Sequence, residues 1–67
     1  MTTTEWQVSG MTCAHCVAAV REELGALAGV RSVDVALDTG RVTVESDAPL
    51  ERTAVAAAVE EAGYQLA

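Results

Sequence analysis

The sequence predicts an α+β fold with the element order βαββαβ, in which two helices cover one face of a four-stranded antiparallel sheet. Three observations support this prediction. Apolar and polar residues alternate in three short segments, as they do in strands with one buried face. Two further segments carry apolar residues at helical spacing. Glycines mark most of the changes of pattern, and the connecting segments are short.

The first two elements are a strand and a helix. Trp6 and Val8 alternate with polar neighbours, so both side chains are expected to face the core. The helical pattern begins at Cys16, and Gly29 is expected to end the helix. The buried stripe of this helix is expected to consist of Val17, Val20, Leu24 and Leu27.

A β-hairpin is predicted after the first helix. The apolar sides of its two strands are expected to consist of Val33, Val35, Leu37, Val42 and Val44. Asp38, Thr39 and Gly40 form a compact connection, in which the glycine can adopt a positive φ. The two strands are therefore expected to pair with each other in antiparallel fashion.

The last third of the chain predicts a second helix and a closing strand. Pro49 suits the first helical turn, where its missing N–H would have no partner, and Gly63 is expected to end the helix. The buried stripe is expected to consist of Val55, Ala58, Val59 and Ala62. Residues 64–66 can form a short closing strand. The whole arrangement is a split βαβ, ferredoxin-like sandwich, and residues 1–67 are expected to form a single domain.

Composition and charge exclude several classes of function. The 67 residues carry a net charge of −6 and contain no lysine, which argues against binding to nucleic acid or to anionic membrane surfaces. A small core rich in alanine and valine leaves little room for an enclosed substrate pocket. The chain starts without the basic and apolar segments of a secretory signal, and its longest apolar run has six residues. We therefore expect a cytoplasmic location without direct insertion into a membrane.

The residues with metal or redox chemistry are concentrated in residues 10–16, GMTCAHC, which we call the metal loop. Cys13 lies in the predicted strand-to-helix loop and Cys16 in the first helical turn, so the two sulfurs can converge on one ion. The N-terminus of a helix favours the thiolate form of cysteine, which is the form that binds metal. Two thiolates suit Cu(I), whereas a structural zinc site normally has four protein ligands. His15 is expected to point elsewhere.

A site with only two thiolates also indicates transport of the metal. An incoming thiolate from a partner can attack the bound ion before the first ligand leaves, so the ion moves without being released. Two alternatives stay open at this point. One is a dithiol oxidoreductase, although no proline lies between Cys13 and Cys16 as it usually does in such enzymes. The other is a protein that binds zinc, cadmium or mercury, since two thiolates bind every soft ion well.

The segment GMTCAHC resembles the heavy-metal-associated domain family, in which the pattern G-M-x-C-x-x-C stands at the start of a helix. The sequence Ala-Gly-Tyr at residues 62–64 resembles the closing motif of the same family, and the resemblance extends from Trp6 to Leu66. It implies a copper chaperone rather than an enzyme. It also implies that Cys13 and Cys16 bind Cu(I) and that the partner is the metal-binding domain of a copper-transporting P-type ATPase.

The resemblance carries further implications for residues around the two cysteines. Met11 is implied to be a core anchor beneath the metal loop, with a role as a third sulfur ligand as the alternative. Tyr64 is implied to lie close to the metal loop. His15 is either a solvated helix residue, or it tunes the thiolates or binds metal in a copper-bridged homodimer. Because the chain has no lysine, the basic docking face of many eukaryotic relatives is not carried over.

Overall fold

The computed structural model describes residues 1–11 and 14–67, and it has the predicted element order. The six elements are β1 (Thr2–Ser9), α1 (Ala14–Gly25), β2 (Val30–Ala36), β3 (Arg41–Ser46), α2 (Arg52–Glu61) and β4 (Gln65–Leu66). Two helices lie on a four-stranded antiparallel sheet, so the predicted α+β, ferredoxin-like fold is confirmed.

The strand order of the sheet is β2-β3-β1-β4, which places β1 in its interior. Trp6 is opposite Val42 on one side of β1, and Val8 is opposite Leu66 on the other. All three pairs of neighbouring strands are antiparallel. The end of β1 at Ser9 therefore lies between the β2–β3 connection on one side and the start of β4 on the other. We call this end of the sheet the metal-loop end.

The core lies between the sheet and the helices and consists mainly of valine. Its buried hydrophobic residues are Val8, Val20, Leu24, Val42, Val44, Val55, Ala58 and Val59. Trp6 is half-buried and packs against this cluster, and its Nε1 donates a hydrogen bond of 3.0 Å to Thr4 Oγ1.

Two helix boundaries differ from the sequence prediction. The helix α1 ends at Gly25 rather than near Gly29. After Gly25 the backbone tightens, because Leu27 N donates to Leu24 O at 3.1 Å, three residues away instead of four. Leu27 therefore packs against the core from a turn. Pro49 lies outside α2, because Glu51 is the N-cap of that helix.

The side chain of Leu37 is also placed differently from the prediction. It is expected to be on the buried side of the second strand, but β2 ends at Ala36 and 38% of Leu37 is exposed. The cause is the tight turn that follows, which Gly40 N closes by donating to Ala36 O at 2.8 Å. Neither helix in the described part of the chain is long and apolar enough to cross a membrane.

Candidate metal site

The metal loop, which contains both cysteines in the sequence, follows β1 and includes the start of α1. Cys16 is in the first turn of α1, and only 7% of its surface is exposed. Cys13 lies outside the described residues, so its side chain and any distance between the two sulfurs are not part of the structure. The first turn of α1 contains no acidic residue that would compete for the positive end of the helix dipole. The positive end of the helix dipole therefore favours negative charge at the start of α1, whereas the burial of Cys16 opposes it.

The start of the metal loop packs against Tyr64. Gly10 has a φ of +94°, a conformation that residues with a side chain rarely adopt. A Cβ atom at Gly10 would lie 3.3 Å from Cδ1 of Tyr64, so the tyrosine ring is beside the backbone where the loop begins. Tyr64 N donates to Val59 O at 3.0 Å, which fixes this residue to the end of α2. The α2–β4 connection therefore supports one side of the loop.

The β2–β3 connection, residues 37–40, supports the other side of β1. Val8 N donates to Gly40 O at 2.8 Å, and Gln7 Nε2 donates to Thr39 O. The contact is so close that a Cβ atom at Gly40 would lie 2.5 Å from Val8 O. Within the connection, Thr39 N donates to Asp38 Oδ1 at 3.0 Å. These contacts hold the connection firmly against the strand that leads into the metal loop.

Two other residues named from the sequence have different environments. Met11 is half-buried and packs against the hydrophobic core, and His15 is exposed in the first turn of α1. Among the described residues, no three His, Cys, Asp or Glu side chains are close enough together to hold a metal ion.

The sequence prediction did not identify the contacts by which Gln7 and Gly40 join the β2–β3 connection to β1. Gly40 is recognisable as a turn residue, but its close approach to Val8 depends on strand pairing across 32 residues of chain. Gln7 has no signal in the sequence, because an exposed glutamine in a strand is ordinary.

A comparison with known families identifies the chain. The model of the heavy-metal-associated domain matches residues 5–65. The chain belongs to the heavy-metal-associated domain family. Its close relatives include the copper chaperone CopZ of Bacillus subtilis, with 45% identity over 62 residues, covering 91% of this chain and 90% of that protein.

Heavy-metal-associated domains similar to this one also occur within larger proteins. Copper-transporting ATPase 2 of Rhizobium meliloti is 44% identical over 61 residues, which cover 91% of this chain and 7% of the ATPase. A zinc/cadmium/lead-transporting P-type ATPase of Shigella sonnei is 43% identical over 61 residues, covering 91% of this chain and 8% of that protein. Among solved structures, a CopZ metallochaperone superimposes with a TM-score of 0.90 at 34% identity, covering 98% of this chain and 100% of the other.

Proposed function

We propose that this heavy-metal-associated domain is a cytoplasmic copper chaperone that binds Cu(I) through Cys13 and Cys16. The observation that carries the proposal is the C-x-x-C spacing of the sequence, together with the position of Cys16 in the first turn of α1. The match to CopZ of Bacillus subtilis, a copper chaperone of which the chain covers 90%, supports it. The chain binds and carries an ion and is not an enzyme.

Binding relies on sulfur chemistry and on the helix end. Cu(I) is a soft ion that accepts two thiolate ligands, and the N-terminus of α1 favours the negative charge of a thiolate near Cys16. Cys16 is buried, and the half-buried Met11 packs against the hydrophobic core.

We propose that the ion is delivered by exchange of thiolate ligands. A thiolate of the partner forms a new S–Cu bond, and the bond between copper and one chaperone cysteine then breaks. A second thiolate of the partner displaces the other chaperone cysteine in the same way. Each leaving cysteine keeps its electron pair and takes up a proton from solvent, so copper remains Cu(I) throughout. The proposed partner is the metal-binding domain of a copper-transporting P-type ATPase. The match to a domain within Copper-transporting ATPase 2 supports this choice, because donor and acceptor would share one fold.

The proposal is tested by Cu(I) titration against a strong chromophoric Cu(I) chelator. We expect Cys13→Ser, Cys16→Ser and the double variant to lose affinity by more than the ~100-fold that loss of an outer-shell partner costs. Met11→Leu is the matched control, since it keeps the apolar volume and removes the third sulfur of the region. Its Cu(I) affinity should equal that of the wild type. Equal competition by the wild type and the double variant would refute the proposal.

A second candidate is a role in binding zinc or cadmium. The similarity to a domain of the zinc/cadmium/lead-transporting P-type ATPase favours it. Titration of Zn(II) and Cd(II) against Cu(I)-loaded protein separates the two roles, because a copper chaperone should keep its Cu(I) at excess Zn(II). The alternative of a dithiol oxidoreductase predicts thiol-dependent reduction of insulin, which we expect to be absent in the wild type.

A further inference from the structure

The metal-loop end of the sheet presents one exposed large apolar side chain among the described residues, Leu37. The other large hydrophobic residue that is strongly exposed in this part of the chain is Met1, which precedes β1 and so lies at the opposite end of that strand. Exposing a leucine to water is unfavourable, and the turn after Ala36 holds Leu37 outside the core. Leu37 is thus the exposed apolar residue that a partner at the metal loop can cover.

The connection that carries Leu37 is firmly held rather than loosely attached. Gly40 O accepts a hydrogen bond of 2.8 Å from Val8 N, and Gln7 Nε2 donates to Thr39 O. Arg41 N donates to Thr39 Oγ1 at 3.3 Å within the same turn. A contact surface that is already ordered loses little conformational entropy when it binds a partner. The β2–β3 connection therefore has the rigidity of a preformed docking element.

Sheet order places this element at the same end of the sheet as the start of the metal loop. The β2–β3 connection and the metal loop extend from adjacent antiparallel strands, β3 and β1, at the same end of the sheet. Direct ligand exchange requires a partner sulfur to reach the bound ion. A folded partner domain that comes this close can also contact the β2–β3 connection at the same end of the sheet.

The geometry points to the β2–β3 connection as a docking element, in which Leu37 packs into an apolar depression on the partner and Asp38 faces a basic residue there. The inference rests on the proposed function and names the partner surface as the metal-loop face of the ATPase domain. The charge of the chain supports a basic partner, because ten acidic residues outnumber four arginines. Asp38 is the exposed acid of this connection.

The test measures Cu(I) transfer to an isolated heavy-metal-associated domain of a copper-transporting P-type ATPase. Leu37→Ser should lower the second-order rate constant of transfer about fivefold. In the wild type, docking buries the exposed third of the Leu37 side chain, and the variant loses that gain in free energy. Leu37→Met keeps an apolar side chain and should transfer at the wild-type rate. The Cu(I) affinity of both variants should be unchanged, since neither removes a proposed ligand.

A pair of charge variants tests the second contact. Asp38→Asn keeps the oxygen that accepts the Thr39 N–H, so the turn is preserved. It should slow association at low ionic strength and weaken the dependence of the rate on salt. Glu45→Gln removes an equal charge from β3, where Glu45 is opposite Thr3 near the other end of β1, and should have no such effect.

The outcomes distinguish this inference from the proposed function. If the wild type binds no Cu(I), or binds it without transferring it, the proposed function fails and the inference fails with it. If the wild type transfers copper and Leu37→Ser transfers equally fast, only the docking inference is overturned. Should Leu37→Ser be unfolded by circular dichroism, the comparison of Asp38→Asn with Glu45→Gln decides, and equal salt dependence of those two variants overturns the inference.

Discussion

Replacement of Gly40 by alanine is a direct test of how the β2–β3 connection is held beside the metal loop. Gly40 has a φ of +74°, and a left-handed backbone costs a residue with a side chain about 1–2 kcal/mol. A new Cβ would also lie 2.5 Å from Val8 O and 2.9 Å from Gln7 Nε2. Because Val8 O belongs to the backbone of an interior strand, the connection has to move, at a cost of about 1–3 kcal/mol.

The expected loss of stability is large for a domain of this size. The two costs together amount to roughly 2–5 kcal/mol, and a chain of 67 residues has a free energy of unfolding of roughly 3–10 kcal/mol. With a urea m-value of about 1 kcal/mol/M, the midpoint of unfolding should fall by roughly 2 M or more. The fluorescence of Trp6, the only tryptophan of the chain, reports unfolding because this side chain is half-buried against the core.

Gly63→Ala is the matched control. Gly63 also has a positive φ, +94°, but a Cβ there would meet nothing within 4 Å. The free energy of unfolding of this variant should therefore fall only by the conformational cost of a left-handed residue, about 1–2 kcal/mol. If both variants lost the same stability, the close contact between Gly40 and Val8 would not be rigid, and the reasoning about a firmly held connection would be refuted.

Three further predictions concern the helices and assembly. Gly25→Ala should raise the free energy of unfolding by about 0.5–1 kcal/mol in urea titration, because a Cβ at this helical position meets nothing within 4 Å. Leu24→Ala should lower it by about 2–5 kcal/mol, since Leu24 is fully buried; a loss below 1 kcal/mol would mean that the core collapses around the cavity. Native mass spectrometry should show dimers that appear only with copper, because two facing loops supply four thiolates; monomers at every copper loading would contradict this.

Much of the fold could be predicted from local sequence patterns. Alternation around Val42 and Val44 predicts a half-buried strand because successive side chains point to opposite faces of a sheet. Both residues are fully buried in β3. The start of β1 at Thr2 could not be predicted in this way. Residues 2–4 are all threonine, so this segment has no alternation of apolar and polar residues. The strand forms there because Thr2 and Thr3 pair with Ser46 and Glu45 of β3.

The candidate site was predicted as a motif, and its surroundings were not. The C-x-x-C spacing and the helical pattern after Cys16 are local properties of the sequence, so both can be recognised without a fold. The position of Leu37 is different, because an apolar residue that continues an alternating pattern normally continues the strand. The tight turn closed by Gly40 N and Ala36 O ends β2 one residue earlier and leaves Leu37 exposed.

The sequence by itself determined the kinds of elements, their order and the chemistry of two cysteines, because these depend on side-chain periodicity and on ligand type within a few residues. The tertiary structure decided which parts of the chain surround the metal loop. It placed Tyr64 beside Gly10 and the β2–β3 connection beside Val8 through pairing of strands that are distant in sequence. Such contacts depend on which edges of the strands meet, and no local pattern of residues contains that information.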